Sequence, residues 1–116
     1  MPKTTGYAIL SEFQARVLRA TQRAIERRRT RRSPFGRWLS SHDVAVFVYA
    51  DRPGRLSNGA RTATTVALHA LRSAALLDST LVPTFSAFES GFRWRLNDRG
   101  VERLRGLDLA ARAAPR

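Results

Sequence analysis

The sequence predicts one mainly α-helical domain carrying a small β-hairpin, and three observations lead there. Apolar residues recur at three- and four-residue intervals through most of the chain, each run preceded by residues that cap helices. One segment, Phe92-Arg93-Trp94-Arg95-Leu96, alternates apolar and basic side chains strictly, as a half-buried strand does. The chain has 116 residues, 43% of them hydrophobic, which suits one modest core and is too short for two ordinary domains. Residues 1–10 are expected to form a flexible N-terminal arm, 11–109 the domain, and 110–116 a disordered basic tail.

The first helix is expected from Glu12, because Ser11 and Gln14 have the spacing of a capping box. Phe13, Val17, Leu18, Thr21, Ala24 and Ile25 form its apolar stripe, while Arg16, Arg19, Arg23 and Arg27 repeat the same spacing on another face. Arg27, Arg28, Arg29, Arg31 and Arg32 crowd its end before Pro34, whose ring disfavours helix in the residue ahead of it. That cluster is either a solvated helix terminus, favoured by the dipole, or an arm that grips phosphate. Phe35 and Trp38 are expected to dock the following linker onto the core.

Ser40 and Asp43 offer a second capping box ahead of Val44-Ala45-Val46-Phe47-Val48-Tyr49-Ala50. This run is rich in β-branched residues, so a buried strand competes with a helix. The cap before it and the Pro53-Gly54 turn after it favour a short helix. Ser57 or Asn58 can cap the next helix, from Ala60 to about Ala75. Ala60, Thr64, Ala67, Leu68, Leu71, Ala74 and Ala75 share its inner face, and Arg61, Thr62, Thr65, His69 and Arg72 the opposite one. Leu76 to Val82 then reads as a strand, Pro83 to Gly91 as a loop, and Phe92 to Leu96 as the returning strand. On that strand Arg93 and Arg95 point away from the core. Asn97 can cap a last helix through Val101, Leu104 and Leu107, with fraying expected from Ala110.

Charge narrows the function. Twenty-one Lys and Arg face nine Asp and Glu, a formal charge of +12 with an isoelectric point near 11.8, and such a field attracts polyanions. Lys3 is the single lysine, a skew that GC-rich coding can produce; coding bias does not account for the excess of bases over acids. Double-stranded DNA is the expected partner. The helix from Ala60 carries no acid on its outward face, where an ordinary surface helix would carry Glu and Asp. Positive charge and short hydrogen-bonding side chains at its start suit a helix lying in the major groove.

Other chemistries find little support. The chain has no cysteine, which excludes disulfides, thiolate metal sites and cysteine nucleophiles. His42 and His69 are the only histidines and have no metal-ligand or relay spacing. No phosphate-cradling glycine loop or serine elbow is visible, so neither an enzyme nor a cofactor is expected. No apolar run reaches the roughly 18 residues of a membrane span, and the start Met1-Pro2-Lys3-Thr4-Thr5-Gly6 lacks an apolar leader core. The expected location is cytoplasmic, associated with the nucleoid.

The order of parts resembles the winged helix-turn-helix regulators. Thr64-Thr65-Val66-Ala67-Leu68-His69-Ala70-Leu71-Arg72-Ser73-Ala74-Ala75-Leu76-Leu77 is similar to the end of a recognition helix in such proteins. Trp94-Arg95-Leu96-Asn97-Asp98-Arg99-Gly100 resembles the Tyr-x-Leu-Thr-x-x-Gly that closes the wing in MarR-like and PadR-like repressors. The likeness covers about residues 40 to 105. It departs at Ala75, where Gly is usual, at Asn97, where Thr is usual, in a long connection from Asp51 to Gly59, and in a loop, Pro83 to Gly91, without a basic residue.

The resemblance implies a sequence-specific DNA-binding protein, a small transcriptional repressor. Arg61, Thr62, Thr65 and His69 would meet base edges and Arg72 a phosphate. Arg93 and Arg95 would hold the backbone or minor groove beside the wing, with Arg28, Arg29, Arg31 and Arg32 adding non-specific attraction. A homodimer is expected through the first and last helices, with Leu104, Leu107 and Leu109 as candidate surfaces; no small-molecule effector is identified. Two other roles fit the same fold: handling DNA in the replication, excision or packaging of a mobile element, and docking protein through the Phe85 to Phe88 loop.

Overall fold

The computed structural model describes residues 10–29, 38–52, 54, 56–81 and 91–113, apart from the side chains of Arg28 and Arg29. Within them lie α1 (Glu12–Arg29), α2 (Ser41–Val48), α3 (Asn58–Ser73), β1 (Leu77–Leu81), β2 (Phe92–Leu96) and α4 (Asp98–Ala113). The described chain is therefore mainly helical with a small antiparallel sheet, an arrangement compatible with a winged helix. Arg31, Arg32, Phe35, Phe85, Phe88 and residues 1–9 of the arm expected over 1–10 fall outside the described residues.

Each helix starts at a side chain that satisfies backbone donors otherwise left without partners. Ser11 and Gln14 close a capping box on α1, and Ser40 and Asp43 close one on α2. Ser57 rather than Asn58 caps α3, accepting from the Ala60 N–H at 3.0 Å. The Asn97 carbonyl oxygen accepts from the Gly100 N–H at 2.9 Å at the head of α4.

The competition between strand and helix after Ser40 resolves as helix. Val44, Ala45 and Val48 are buried while Val46 is 46% exposed. A strand would have put Val44, Val46 and Val48 on one face; the observed spacing is helical, with α2 wedged against α1 and α3. Helix α1 buries Val17, Leu18, Ala24 and Ile25, and α3 buries Ala67, Leu68 and Leu71 against them. Thr21 and Thr64 lie fully inside this core; their hydroxyls donate to the Val17 and Ala60 carbonyls, both at 2.9 Å, so neither is left unsatisfied.

Strands β1 and β2 pair antiparallel, Leu77 opposite Leu96 through Leu81 opposite Phe92. A third, one-residue member was not foreseen from the sequence. Leu39 and Trp94 exchange both backbone hydrogen bonds at 2.8 Å, laying the segment before α2 along the free edge of β2. Trp94 is fully buried, and its indole Nε1 donates to Ser41 Oγ at 3.1 Å. The hairpin is thus tied to the head of α2 as well as to its own neighbour strand.

Two backbone positions explain the wording around the hairpin. Ala75 has φ of 63°, and the Leu76 N–H donates back to the Leu71 carbonyl at 3.0 Å, a Schellman ending of α3 that favours glycine. At Gly100 a Cβ would collide with the Leu76 carbonyl oxygen and the Leu96 side chain, so α4 can pack against the hairpin base only because this residue has none.

Two expectations are corrected. Helix α4 continues through Ala113 instead of fraying from Ala110, as a run of alanine and arginine favours. Leu104, offered as a dimer surface, is 2% exposed and completes the core of the single chain; Leu107 packs on that core, leaving Leu109, 59% exposed, on the surface.

Candidate nucleic-acid interface

Helix α3 supplies the centre of the candidate site. Burial of Thr64, Ala67, Leu68 and Leu71 fixes its rotation and turns the far arc outward. Arg61 and Thr62 are exposed on the early turns, and no acid stands in the first turn. The Arg61 guanidinium has no partner among the described residues. Thr65 is half-buried, and its hydroxyl donates to the Arg61 carbonyl at 2.9 Å, leaving only its lone pairs for a ligand. Arg72 is exposed, and its Nη1 donates to Ser79 Oγ of β1 at 3.1 Å.

His69 does not stand free on this arc. Its ring meets those of Phe92 and Trp94 edge-on, each centroid 4.8 Å away, and those two rings stack on each other at 5.6 Å. The reason lies in the hairpin's pleat. Phe92 and Trp94 share the face of β2 turned to the helices, and the hairpin docks along the flank of α3 that carries residue 69. His69 therefore packs α3 against the hairpin while remaining half-buried.

The opposite face of the hairpin carries Asp78, Thr80, Arg93 and Arg95. Arg95 Nη2 lies 3.3 Å from Asp78 Oδ2, its cross-strand neighbour, and its guanidinium sits 4.7 Å above the Trp38 ring. Both partners of that ion pair are over two-fifths exposed, at 42% and 43%. Such a pair contributes little to stability and can exchange its carboxylate for a phosphate. The Arg93 side chain donates to the Phe92 carbonyl at 2.9 Å. Trp38 thus lies on the outward side of the sheet beneath a basic side chain, and not against the core onto which it was expected to dock.

The basic face of α1 is partly committed elsewhere. Arg16 pairs with Asp51 at 3.1 Å and Arg19 with Asp108 at 2.7 Å, joining α1 to the residues after α2 and to α4. Arg23 and Arg27 are exposed. The arginine cluster that follows is outside the described residues at Arg31 and Arg32 and in the side chains of Arg28 and Arg29.

One side chain escaped the reading of the sequence. Val66 is 64% exposed on the outward arc of α3. Its signal was an apolar residue about half a turn from Leu68 and Thr64, out of phase with the buried stripe. Among the described residues no three His, Asp or Glu side chains gather as a metal site, and no helix is long and apolar enough to cross a membrane. No family model, curated protein or solved structure matches the chain.

Proposed function

We propose that this protein binds double-stranded DNA with sequence preference, as a small winged-helix transcriptional repressor whose α3 enters the major groove. The observation that carries this reading is the outward arc of α3, where an exposed Arg61 without a partner among the described residues stands beside Thr62 in a helix that has no carboxylate. Such an arc suits a groove lined by phosphates and base acceptors. The order α1, Leu39 bridge, α2, α3, hairpin and α4 supports the winged form, with the hairpin standing beside α3.

In this arrangement Arg61 and Thr62 face base edges, Thr65 accepts at the rim, and Arg72, Arg93 and Arg95 hold phosphates. His69 sets the angle between α3 and the hairpin through its ring contacts. Leu109 on α4 is the apolar position left for a second copy, and two copies would read a symmetric site.

The test is selection from random duplexes at physiological salt, followed by affinity measurements over a salt series. One enriched sequence is expected, with affinity falling steeply as salt rises. Arg61→Ala is expected to cost about 1 to 3 kcal/mol on the enriched duplex and much less on a scrambled one. Arg93→Ala is expected to weaken both alike. Equal loss on both duplexes for Arg61→Ala would remove the base-reading role, and failure to enrich any sequence would remove specific recognition altogether.

A further inference from the structure

Resting on that reading, we infer that Val66 of α3 contacts the C5-methyl group of a thymine, so that an A·T pair at a fixed position is part of the preferred site. Val66 and Thr62 lie one helical turn apart on the arc most distant from the buried stripe. Along the major groove the thymine methyl is the apolar group among otherwise polar base edges. An apolar side chain at the outermost line of a groove-inserted helix is therefore matched by that methyl and by no other part of the duplex edge.

A lone exposed valine is common on protein surfaces, so exposure by itself assigns nothing. Charge around it decides the occupant. Arg61 and Arg72 are exposed on the same helix, α3 has no acidic residue, and the whole chain carries +12. A polyanion is the partner such surroundings attract, and Val66 is placed where that polyanion would come closest. With no hydrogen bond to make, the valine discriminates by filling space against the methyl and excluding water from it.

The experiment uses the enriched duplex, resynthesised with deoxyuridine in place of each thymine in turn, a change that removes the methyl and leaves the pairing edge. At one or two positions the unaltered protein is expected to lose roughly fourfold in affinity, the ratio that goes with one buried methylene-sized group. Val66→Ala, at an exposed helical site, is expected to retain the melting temperature and to show no loss at those same positions. Thymines that are all replaceable without effect, while Arg61→Ala still distinguishes enriched from scrambled DNA, would overturn the valine contact and leave DNA reading intact. An equal loss in Val66→Ala would overturn it too, by placing another side chain on the methyl. If no duplex is enriched, both proposals fall together; if Val66→Ala instead converts a dimer into a monomer by light scattering, the valine belongs to an interface between copies of this chain.

Discussion

Helices α1 and α3 are both amphipathic, both carry arginines outside a buried stripe, and both contribute to the same core, yet they place their charge differently. On α1, Arg16 and Arg19 reach Asp51 and Asp108, so part of its positive face is used to hold neighbouring segments. On α3, Arg61 has no partner among the described residues and Arg72 reaches only the neutral Ser79. Carboxylates are scarce in this chain, nine against twenty-one bases, and where they lie decides which cations face solvent. Net charge alone would have given both helices equal weight as contacts for a polyanion; the ion pairs separate them.

The contrast depends on the hairpin holding α3 in place, and the largest expected effect comes from removing that hold. Trp94→Ala deletes a fully buried indole that touches His69 and Phe92 and bonds to Ser41. A stability loss of about 3 to 5 kcal/mol is expected in denaturant titration. A loss under 1 kcal/mol would mean that the hairpin is dispensable to the helical core, and the orientation of α3 would need another cause.

The next test sets the two helices against each other directly. Arg61→Ala should lower specific affinity by about 1 to 3 kcal/mol and leave the unfolding midpoint nearly unchanged. Arg16→Ala should do the reverse, costing at most about 1 kcal/mol of stability, since an exposed pair is worth little, with DNA affinity almost unaltered. If Arg16→Ala weakens binding as much as Arg61→Ala, the ion pairs do not sort the cations between the two helices. A smaller effect of opposite sign is expected at the end of α3: Ala75→Gly relieves a left-handed alanine and should stabilise the fold by about 0.5 to 1 kcal/mol, read as a raised melting temperature.

What the sequence made legible was local. Ser11 with Gln14, Ser40 with Asp43, and Asn97 with Gly100 are bonds between residues three apart, and the starts of α1, α2 and α4 are legible from their capping residues. The alternation of Phe92, Trp94 and Leu96 likewise identified β2 and its inward face. Contacts between distant segments left no such trace. Leu39 pairs with Trp94 through backbone atoms, which no side-chain pattern encodes. His69 lies on the polar side of α3 by periodicity, and only the docked aromatic rings of β2 show that it packs inward against them. Val66 stands among charged and hydroxyl-bearing neighbours that give the arc its polar character; its exposure follows from the rotation that Leu68 and Leu71 impose.

The bond from Trp94 to Ser41 joins residues 53 apart in the chain. The loop it closes is far longer than those within the capped helices or the hairpin and carries the larger closure entropy, so the clamp belongs among the last events of folding. A contact made after the rate-limiting barrier governs how fast the native state comes apart more than how fast it assembles. Ser41→Ala should therefore steepen the loss of native protein over time, raising the unfolding rate in a stopped-flow jump to denaturant while refolding proceeds at almost its former pace.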